Sequence, residues 1–294
     1  FKRLWISSLE DSAIREGFNH LRDGKEYDRL YEAALSRSKA DWIVGINGTR
    51  LFTTLYHKKL VVGRVQTPTL AMLVERDGKI STFQKEKYFN VHVGKGDLTA
   101  DLEKVKTEEE AKRIAAACEK KQAVVSSLKR ETKTVNPPKL YDLTTLQREA
   151  NRYYGFTAQQ TLDLVQTLYE KKLLTYPRTD SRYISDDVVP TLPDRLRAVM
   201  TGDYKPFAQE LMRRRPLSTR YLVNNAKVTD HHAIIPTEEA PDLWQLSGPE
   251  RNIYDLVVRR FLAVLYPACE YEQTEITVRA GEELFTAHGN VLKT

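Results

Sequence analysis

Two adjacent prolines, Pro137 and Pro138, set the strongest constraint on how this sequence can fold. Proline has no backbone N–H and holds its predecessor extended, so "VNPPKLYDL" (135–143) reads as a linker that no regular element crosses. Before it, "KYFNVHVGKGDLTADLE" alternates Phe89, Val91 and Val93 on one side, turns at Gly94-Lys95-Gly96 and restarts. That is hairpin chemistry. Residues 107–120 have the pattern of a charged amphipathic helix and 122–135 that of another strand. Strand texture then disappears and returns only in "YEQTEITVRAGEELFTAHGNVL", as two strands around Ala280-Gly281. A strand-bearing unit, a helical unit and a second strand-bearing unit in that order are what the insertion of one domain into another produces.

The helical stretches have their own punctuation. Residues 10–22 and 26–58 carry apolar residues at helical spacing; in the second, Leu30, Ala33, Ala34, Ala40, Ile43, Val44, Ile46, Leu51 and Leu55 predict a long buried helix. "GRVQTPTLAMLVERDG" (63–78) reads as a loop running into a helix, with Pro68 in its first turn and Gly78 as its C-terminal cap. Residues 142–154 and 157–173 begin at the capping residues Asp142 and Thr157. A Pro-interrupted region follows to about 240. "LSGPERNIYDLVVRRFLAVLY" is a further capped helix, with Pro249 in its first turn. No short-period repeat is present.

Composition excludes several classes. The two cysteines, Cys118 and Cys269, form no Cys-x-x-Cys pair, which rules out a zinc ribbon and a disulfide framework within these residues and fits a reducing cytosol. The longest uncharged apolar run, "FLAVLYPAC" (261–269), is too short to span a bilayer, and no signal peptide precedes it, so no membrane partner is expected. The net charge of +6 tilts toward a polyanionic partner, although a solvated surface with spare lysines explains it equally well. The excess lies before residue 241; residues 241–294 hold 5 basic against 8 acidic side chains. The chain opens on Phe1 and stops at "HGNVLKT", and is expected to be a piece of a longer protein.

Three stretches carry chemistry. In "KKLLTYPRTDSRYISDD" (171–187), Tyr176 stands two residues before Arg178, across a proline that fixes the intervening backbone. A phenol of pKa about 10 is a poor nucleophile at neutral pH unless cations stabilise the phenolate and the charge developing on phosphorus. In extended backbone both side chains face one way, and arginine suits a bidentate phosphate contact. The plainer alternative is a loop anchor, with Asp180 or Ser181 as an N-cap and Arg178 in a surface salt bridge. In "VVGRVQTPTLAMLVERD" (61–77), Gly63 permits close backbone approach, and Arg64 and Gln66 bring donors to the mouth of a helix whose amides favour phosphate; an ordinary helix start reads the same way. In "TDHHAIIPT" (229–237), His231 and His232 lack further ligands at metal spacing. They are a structural pair or, if one donates to an anion, a phosphate contact.

Together and in this order, "GRVQTPTLAMLVERD", "NPPKLYDLTTLQREANRYYGFTAQQTLDLVQTLYEKKLLTYPRTDSRYIS" and "DHHAIIPT" resemble the type IA DNA topoisomerases, most nearly the bacterial topoisomerase III branch. "RSKADWIVGINGTR" (37–50) joins them, and the resemblance runs over essentially the whole chain. It implies a mainly helical α+β fold: a multidomain toroidal core with a strand-rich arch split by an inserted helical domain. Residues 1–80 would form part of the helical single-strand-groove domain, 81–137 and 241–294 the two halves of the arch, and 138–240 the helical domain carrying the active-site tyrosine.

By the same resemblance, Tyr176 attacks a single-strand phosphodiester to give a 5′-phosphotyrosine link, Arg178 stabilises the scissile phosphate, and strand passage and religation follow without ATP. DNA-binding positions would be Val61, Val62, Gly63, Arg64, Val65 and Gln66 along the groove, with His231 near the cut and Arg3 and Arg37 matching basic groove positions more loosely. Tyr153, Tyr154, Phe156 and Tyr183 are candidate stacking partners for bases, or else core residues. The implied partner is single-stranded DNA, or DNA with single-stranded regions, and the resemblance further implies a monomeric, cytoplasmic and nucleoid-associated protein. The family's Mg²⁺ is held by an N-terminal Toprim domain through an Asp-x-Asp-x-Glu cluster, and this chain contains no such cluster. No metal ligand is therefore assigned here, and the isolated chain is not expected to relax supercoiled DNA. The rival reading is a non-catalytic single-stranded-DNA-binding module. A relaxase fits poorly, because its histidines are separated by a hydrophobic residue and not adjacent. So does a tyrosine recombinase, because Tyr176 precedes His231.

Overall fold

The computed structural model describes residues 1–6, 11–119, 121–214, 216–228 and 230–293. Its elements in chain order are β1 (Lys2–Arg3), α1 (Asp11–Asn19), β2 (Arg22–Asp23), α2 (Asp28–Tyr56), α3 (Gln66–Ser81), β3 (Phe89–Lys95), β4 (Leu98–Val105), α4 (Glu108–Cys118), β5 (Ala123–Val135), α5 (Leu143–Tyr154), α6 (Ala158–Glu170), α7 (Leu192–Ala198), α8 (Lys205–Arg213), α9 (Gly248–Leu265), β6 (Cys269–Ala280) and β7 (Glu283–Leu292). Strands β1 and β2 pair with each other, and a five-stranded sheet has the order β3-β4-β7-β6-β5. The chain divides into two compact units, one of Phe1–Arg3, Arg22–Ser127 and Ile276–Ala287, the other of Leu4–Leu21, Leu128–Glu275 and His288–Thr294.

In the first unit the hairpin turns where glycine allows it: Gly96 has φ of +60°, a left-handed conformation that costs a side-chain-bearing residue energy. Helix α4 starts on Thr107, whose side chain accepts from the Glu110 amide, and sets Ile114 into a small core with Val91, Ala100, Val105, Val278 and Phe285. The long helix α2 departs from the sequence expectation. It forms over the anticipated span, but none of its residues is buried, and Val44 and Leu51 are 64% and 56% exposed. The periodicity marks a helix with apolar residues around much of its circumference. The following segment comes close to the helix at Val62, whose side chain lies over Gly48. A second correction concerns α3. The helix runs through Gly78 to Ser81 and is capped at Thr82, whose amide and hydroxyl both donate to the Gly78 carbonyl.

The second unit holds the larger core. Leu146 and Ala150 of α5, Val165 and Leu168 of α6, and Ile253, Val257, Phe261 and Val264 of α9 are all buried in it. Helix starts follow their caps. Asp142 accepts from the Thr145 amide, and Thr157 and Ser247 each form a reciprocal capping box, with Gln160 and Glu250 respectively. The short helices α7 and α8 lie in the Pro-interrupted region, in which the sequence placed no individual helix; Pro193 and Pro206 sit in their first turns.

Glu250 has two tasks. It closes the α9 capping box and takes a hydrogen bond from Lys171 Nζ at 2.6 Å while only 9% of its side chain is exposed. The Lys171 hydrogen bond holds its carboxyl below the ordinary 4.5. A depressed folded-state pKa adds stability above the unfolded value, and that stability is lost as pH falls through the folded one. Glu250→Gln keeps the cap and loses the charge. It is expected to cost about 1 kcal/mol at pH 7, with the gap from wild type shrinking as pH falls below 4.5. Urea melts at pH 7 and pH 3.5 check this.

Candidate active site

The tyrosine stretch and the histidine stretch lie far apart in sequence, and backbone pairing brings them side by side. The Thr237 amide donates to the Leu173 carbonyl (3.2 Å) and the Thr175 amide to the Ile235 carbonyl (3.0 Å). The Thr175 hydroxyl donates to the Ala233 carbonyl (3.1 Å) and receives the Ile235 amide (3.0 Å). Further along, Thr179 Oγ1 donates to the His231 carbonyl (3.0 Å). A second contact fixes the histidine strand from the other side, where the Ile234 amide donates to the Tyr141 carbonyl (2.9 Å). Threonine serves here because its hydroxyl can satisfy backbone groups that an irregular strand leaves unpaired.

This register sets His231 against Tyr176. Their ring centroids are 4.3 Å apart at an interplanar angle of 43°, and Tyr169 of α6 meets Tyr176 edge-on at 5.5 Å. Tyr176 is half-buried, and its hydroxyl has no hydrogen-bond partner among the described residues. Arg178 is exposed and makes no ion pair among the described residues, so it is not the surface salt bridge of the plainer reading. Nor does a helix begin at Asp180 or Ser181. Ser181 is buried, and its hydroxyl donates to the Lys227 carbonyl (2.8 Å).

Arg178 and His231 line one open cleft of about 460 Å³ with Thr144, Thr179, Asp142, Asp180 and Asp230. The cleft reaches the first turn of α5, and the Leu143 amide there donates to the Thr179 carbonyl (3.1 Å). A guanidinium and an imidazole thus line a space of nucleotide size, and the Tyr176 ring, which is not itself part of that lining, stands against the imidazole. Such a set can hold a phosphodiester by charge and direct hydrogen bonds while presenting a phenol oxygen to phosphorus.

His232 is a different residue in kind. It is 8% exposed, its Nδ1 lies 2.8 Å from the Ala233 carbonyl, and burial holds its imidazole below the ordinary 6.5. It packs as a neutral structural histidine. No group of three or more His, Cys, Asp or Glu that could hold a metal ion occurs among the described residues. Asp142, which lines the cleft, is committed to the α5 cap. The described residues do not assemble a magnesium site.

The other predicted positions belong to the first unit. The segment before α3 lies along α2, with the Leu60 and Val62 amides donating to Thr53 and Thr49 Oγ1 (3.2 and 3.0 Å). Gly45 and Gly48 allow the approach, since a Cβ on Gly48 would sit 3.0 Å from Val62 Cγ1. Arg64 is exposed and paired with Asp41 at 3.0 Å; Val61 and Val65 are exposed, and Gln66 opens α3. A Cβ on Gly63 would meet nothing within 4 Å, so its backbone faces open space. Arg37 is an exposed residue of α2, and Arg3 lies 5.2 Å from the Tyr27 ring centroid. Of the candidate stacking residues, Tyr154 and Phe156 pack against the large core, whereas Tyr153 is 59% exposed.

Arg195 escaped the sequence reading. Only 1% exposed, it donates to Thr191 Oγ1 and the Pro236 carbonyl (both 2.8 Å) and pairs with Glu238 (2.7 Å), clamping the end of the histidine strand to α7. Nothing in "PDRLRAV" marks which arginine turns inward. Arg195→Ala leaves a buried carbonyl unsatisfied and removes the packed stem, a loss of about 3 kcal/mol and on the order of 10 °C in Tm. Arg195→Lys, with a single ammonium for three partners, recovers only part of it. Calorimetry of the three proteins measures both effects.

Comparisons with known proteins bear on the family of the chain. The sequence signature of a DNA topoisomerase family matches residues 25–294. The DNA topoisomerase 3 of Bacillus subtilis (strain 168) is 48% identical over 99% of this chain, and that of Bacillus licheniformis 46% over the same share. The structure of full-length topoisomerase I from Thermotoga maritima matches with a TM-score of 0.72 and 28% identity, over 99% of this chain and 48% of that one. The chain belongs to the type IA DNA topoisomerase family. It spans 41% of the length of the two Bacillus relatives. No helix among the described residues is long and apolar enough to cross a membrane.

Proposed function

We propose that this chain is the strand-cleaving and strand-passage core of a type IA topoisomerase, with Tyr176 as nucleophile. The observation that carries the reading is the convergence of the Tyr176 and His231 rings beside the cleft that Arg178 lines. The phenol oxygen attacks phosphorus of one DNA strand. A P–O bond to tyrosine forms, the P–O3′ bond breaks, and the departing 3′-oxygen takes a proton. The phosphotyrosine ester keeps the energy of the broken bond, so the 3′-hydroxyl reverses the step without ATP. Arg178 neutralises charge on the non-bridging oxygens, and His231 contacts the DNA beside the cut.

The single-strand groove is assigned to Val61, Val62, Gly63, Arg64, Val65 and Gln66, with Arg3 and Arg37 as further basic contacts. The domain division at residues 80, 137 and 240, the toroidal arrangement, a monomeric state and a cytoplasmic, nucleoid-associated location belong to the same proposal. Proton transfer and Mg²⁺ are assigned to a Toprim domain outside this chain, since no Asp-x-Asp-x-Glu cluster lies within it. That absence also favours a second reading for the chain in isolation, as a single-strand-binding module without relaxation activity.

Relaxation of negatively supercoiled plasmid by the isolated chain and by the full-length enzyme tests both readings. The account expects activity only in the full-length enzyme, with oligonucleotide binding in both. Relaxation by the isolated chain would refute the division of labour, and absence of single-strand binding in both would refute the function.

A further inference from the structure

Tyr183 stands seven residues beyond Tyr176 and takes no part in the cleft. Its half-buried ring has two ammonium groups over it, Lys139 Nζ at 5.2 Å from the centroid and Lys227 Nζ at 5.4 Å. The two charges are therefore within about 11 Å of each other, close to one Debye length at 0.1 M salt, and they repel. Neither lysine forms an ion pair among the described residues. Two acids of the same unit are engaged elsewhere: Asp186 accepts from Asn225 Nδ2 (2.6 Å), and Glu149 holds Arg260 (2.6 Å). The Tyr183 phenol is held below its ordinary value of 10.0, first by its hydrogen bond with Lys139 and also by the charges of Lys139, Lys227 and Arg182.

The cluster is rigidly placed. Lys139 follows Pro137 and Pro138, and its carbonyl accepts from Arg260 (3.0 Å). The Lys227 carbonyl is fastened to Ser181 Oγ (2.8 Å), which in turn receives the Tyr183 amide (3.2 Å). Arg182 Nε donates to the Leu140 carbonyl (3.3 Å). The Lys139 and Lys227 backbones are thus held so that both ammonium groups reach one ring without a paired carboxylate, an arrangement of like charges that an arriving anion stabilises.

The cluster's position indicates which anion. The Ala233 amide donates to the Tyr183 carbonyl (2.9 Å), and Ala233 is two residues beyond His231, roughly 7 Å along an extended strand. We infer that Lys139, Lys227 and the Tyr183 hydroxyl form a second phosphate-binding station, which holds the DNA backbone next to the segment placed in the Tyr176 cleft. The inference rests on the proposed single-strand function and adds to it a phosphate-binding role for Lys139, Lys227 and Tyr183.

The test is the salt dependence of oligothymidylate binding by this chain, followed by fluorescence anisotropy from 50 to 200 mM NaCl. Each single-strand phosphate contact contributes about 0.7 to the log–log slope. Lys139→Gln/Lys227→Gln is expected to lower the slope by about 1.4, so that its affinity loss is about sevenfold greater at 50 mM than at 200 mM salt. Tyr183→Phe weakens binding without that slope change. Lys112→Gln, at a lysine already paired with Glu108, serves as the charge control and leaves the slope unaltered. Circular dichroism shows whether each variant is folded.

An unchanged slope in a folded double variant overturns the second station and leaves the proposed function standing. Wild-type protein that shows no salt-dependent binding overturns both. Inorganic phosphate, titrated at constant ionic strength, is expected not to compete at millimolar concentration. Displacement of the oligonucleotide by it in wild type, and not in the double variant, would assign the cluster to free phosphate instead.

Discussion

In the full-length enzyme, Tyr176→Phe is expected to bring strand cleavage and relaxation to background while single-strand binding stays within about twofold. The substitution removes one oxygen. That oxygen has no hydrogen-bond partner among the described residues, so its loss leaves no buried group unsatisfied. The ring itself remains, still against His231 and edge-on to Tyr169. Stability should therefore change by less than about 1 kcal/mol, and loss of activity cannot be put down to unfolding. A phenylalanine ring offers no nucleophile at any pH, whereas variants that only weaken a catalyst keep residual turnover. Plasmid relaxation, oligonucleotide anisotropy and a thermal melt on the same preparation separate these outcomes.

Arg178→Ala is expected to lower the rate of covalent-complex formation by about 10²–10³-fold, equivalent to about 2.7–4 kcal/mol of transition-state stabilisation. The side chain is exposed on the cleft and bound to nothing among the described residues, so the folded state loses little, within about 0.5 kcal/mol. Arg178→Lys restores charge but not the planar fork, and should recover part of the rate. The slowed rejoining follows from the same argument, because cleavage and religation pass through the same charged phosphorus. Single-turnover cleavage of a labelled oligonucleotide measures the forward rate, and a high-salt chase measures its reverse.

Features governed by local chemistry were legible in the sequence. Asp142, Thr157 and Ser247 each cap the helix their side chains predict, and Gly96 turns the hairpin because its φ is positive. The Tyr176, Arg178 and His231 candidates were legible too, as motifs; Arg178 and His231 line one cleft, and the Tyr176 ring lies against His231. What joins them was not. The pairing of residues 173–179 with 231–237 runs through Thr175 and Thr179, and no local pattern tells which threonine will hydrogen-bond across 50 to 60 residues.

Burial was the less readable property. Leu51 and Val44 of α2 carry the same spacing as a core helix and are exposed, because periodicity reports an apolar face and not what covers it. Arg195 errs in the opposite direction, since an arginine is rarely buried unless its donors find partners, and besides the local Thr191 these are Pro236 and Glu238, in a later loop. The Tyr183 cluster combines both difficulties: Lys139 and Lys227 come from separate segments, and only the fold puts them over one ring.

The most direct measurement of the central claim maps the covalent adduct. Full-length enzyme is mixed with a single-stranded oligonucleotide labelled at either its 3′ or its 5′ end, denatured, digested and examined by mass spectrometry. The account predicts that protein retains the 3′ label and not the 5′ label, and that the nucleotide mass lies on the peptide containing Tyr176. An adduct on any other residue, or retention of the 5′-labelled end, would contradict it.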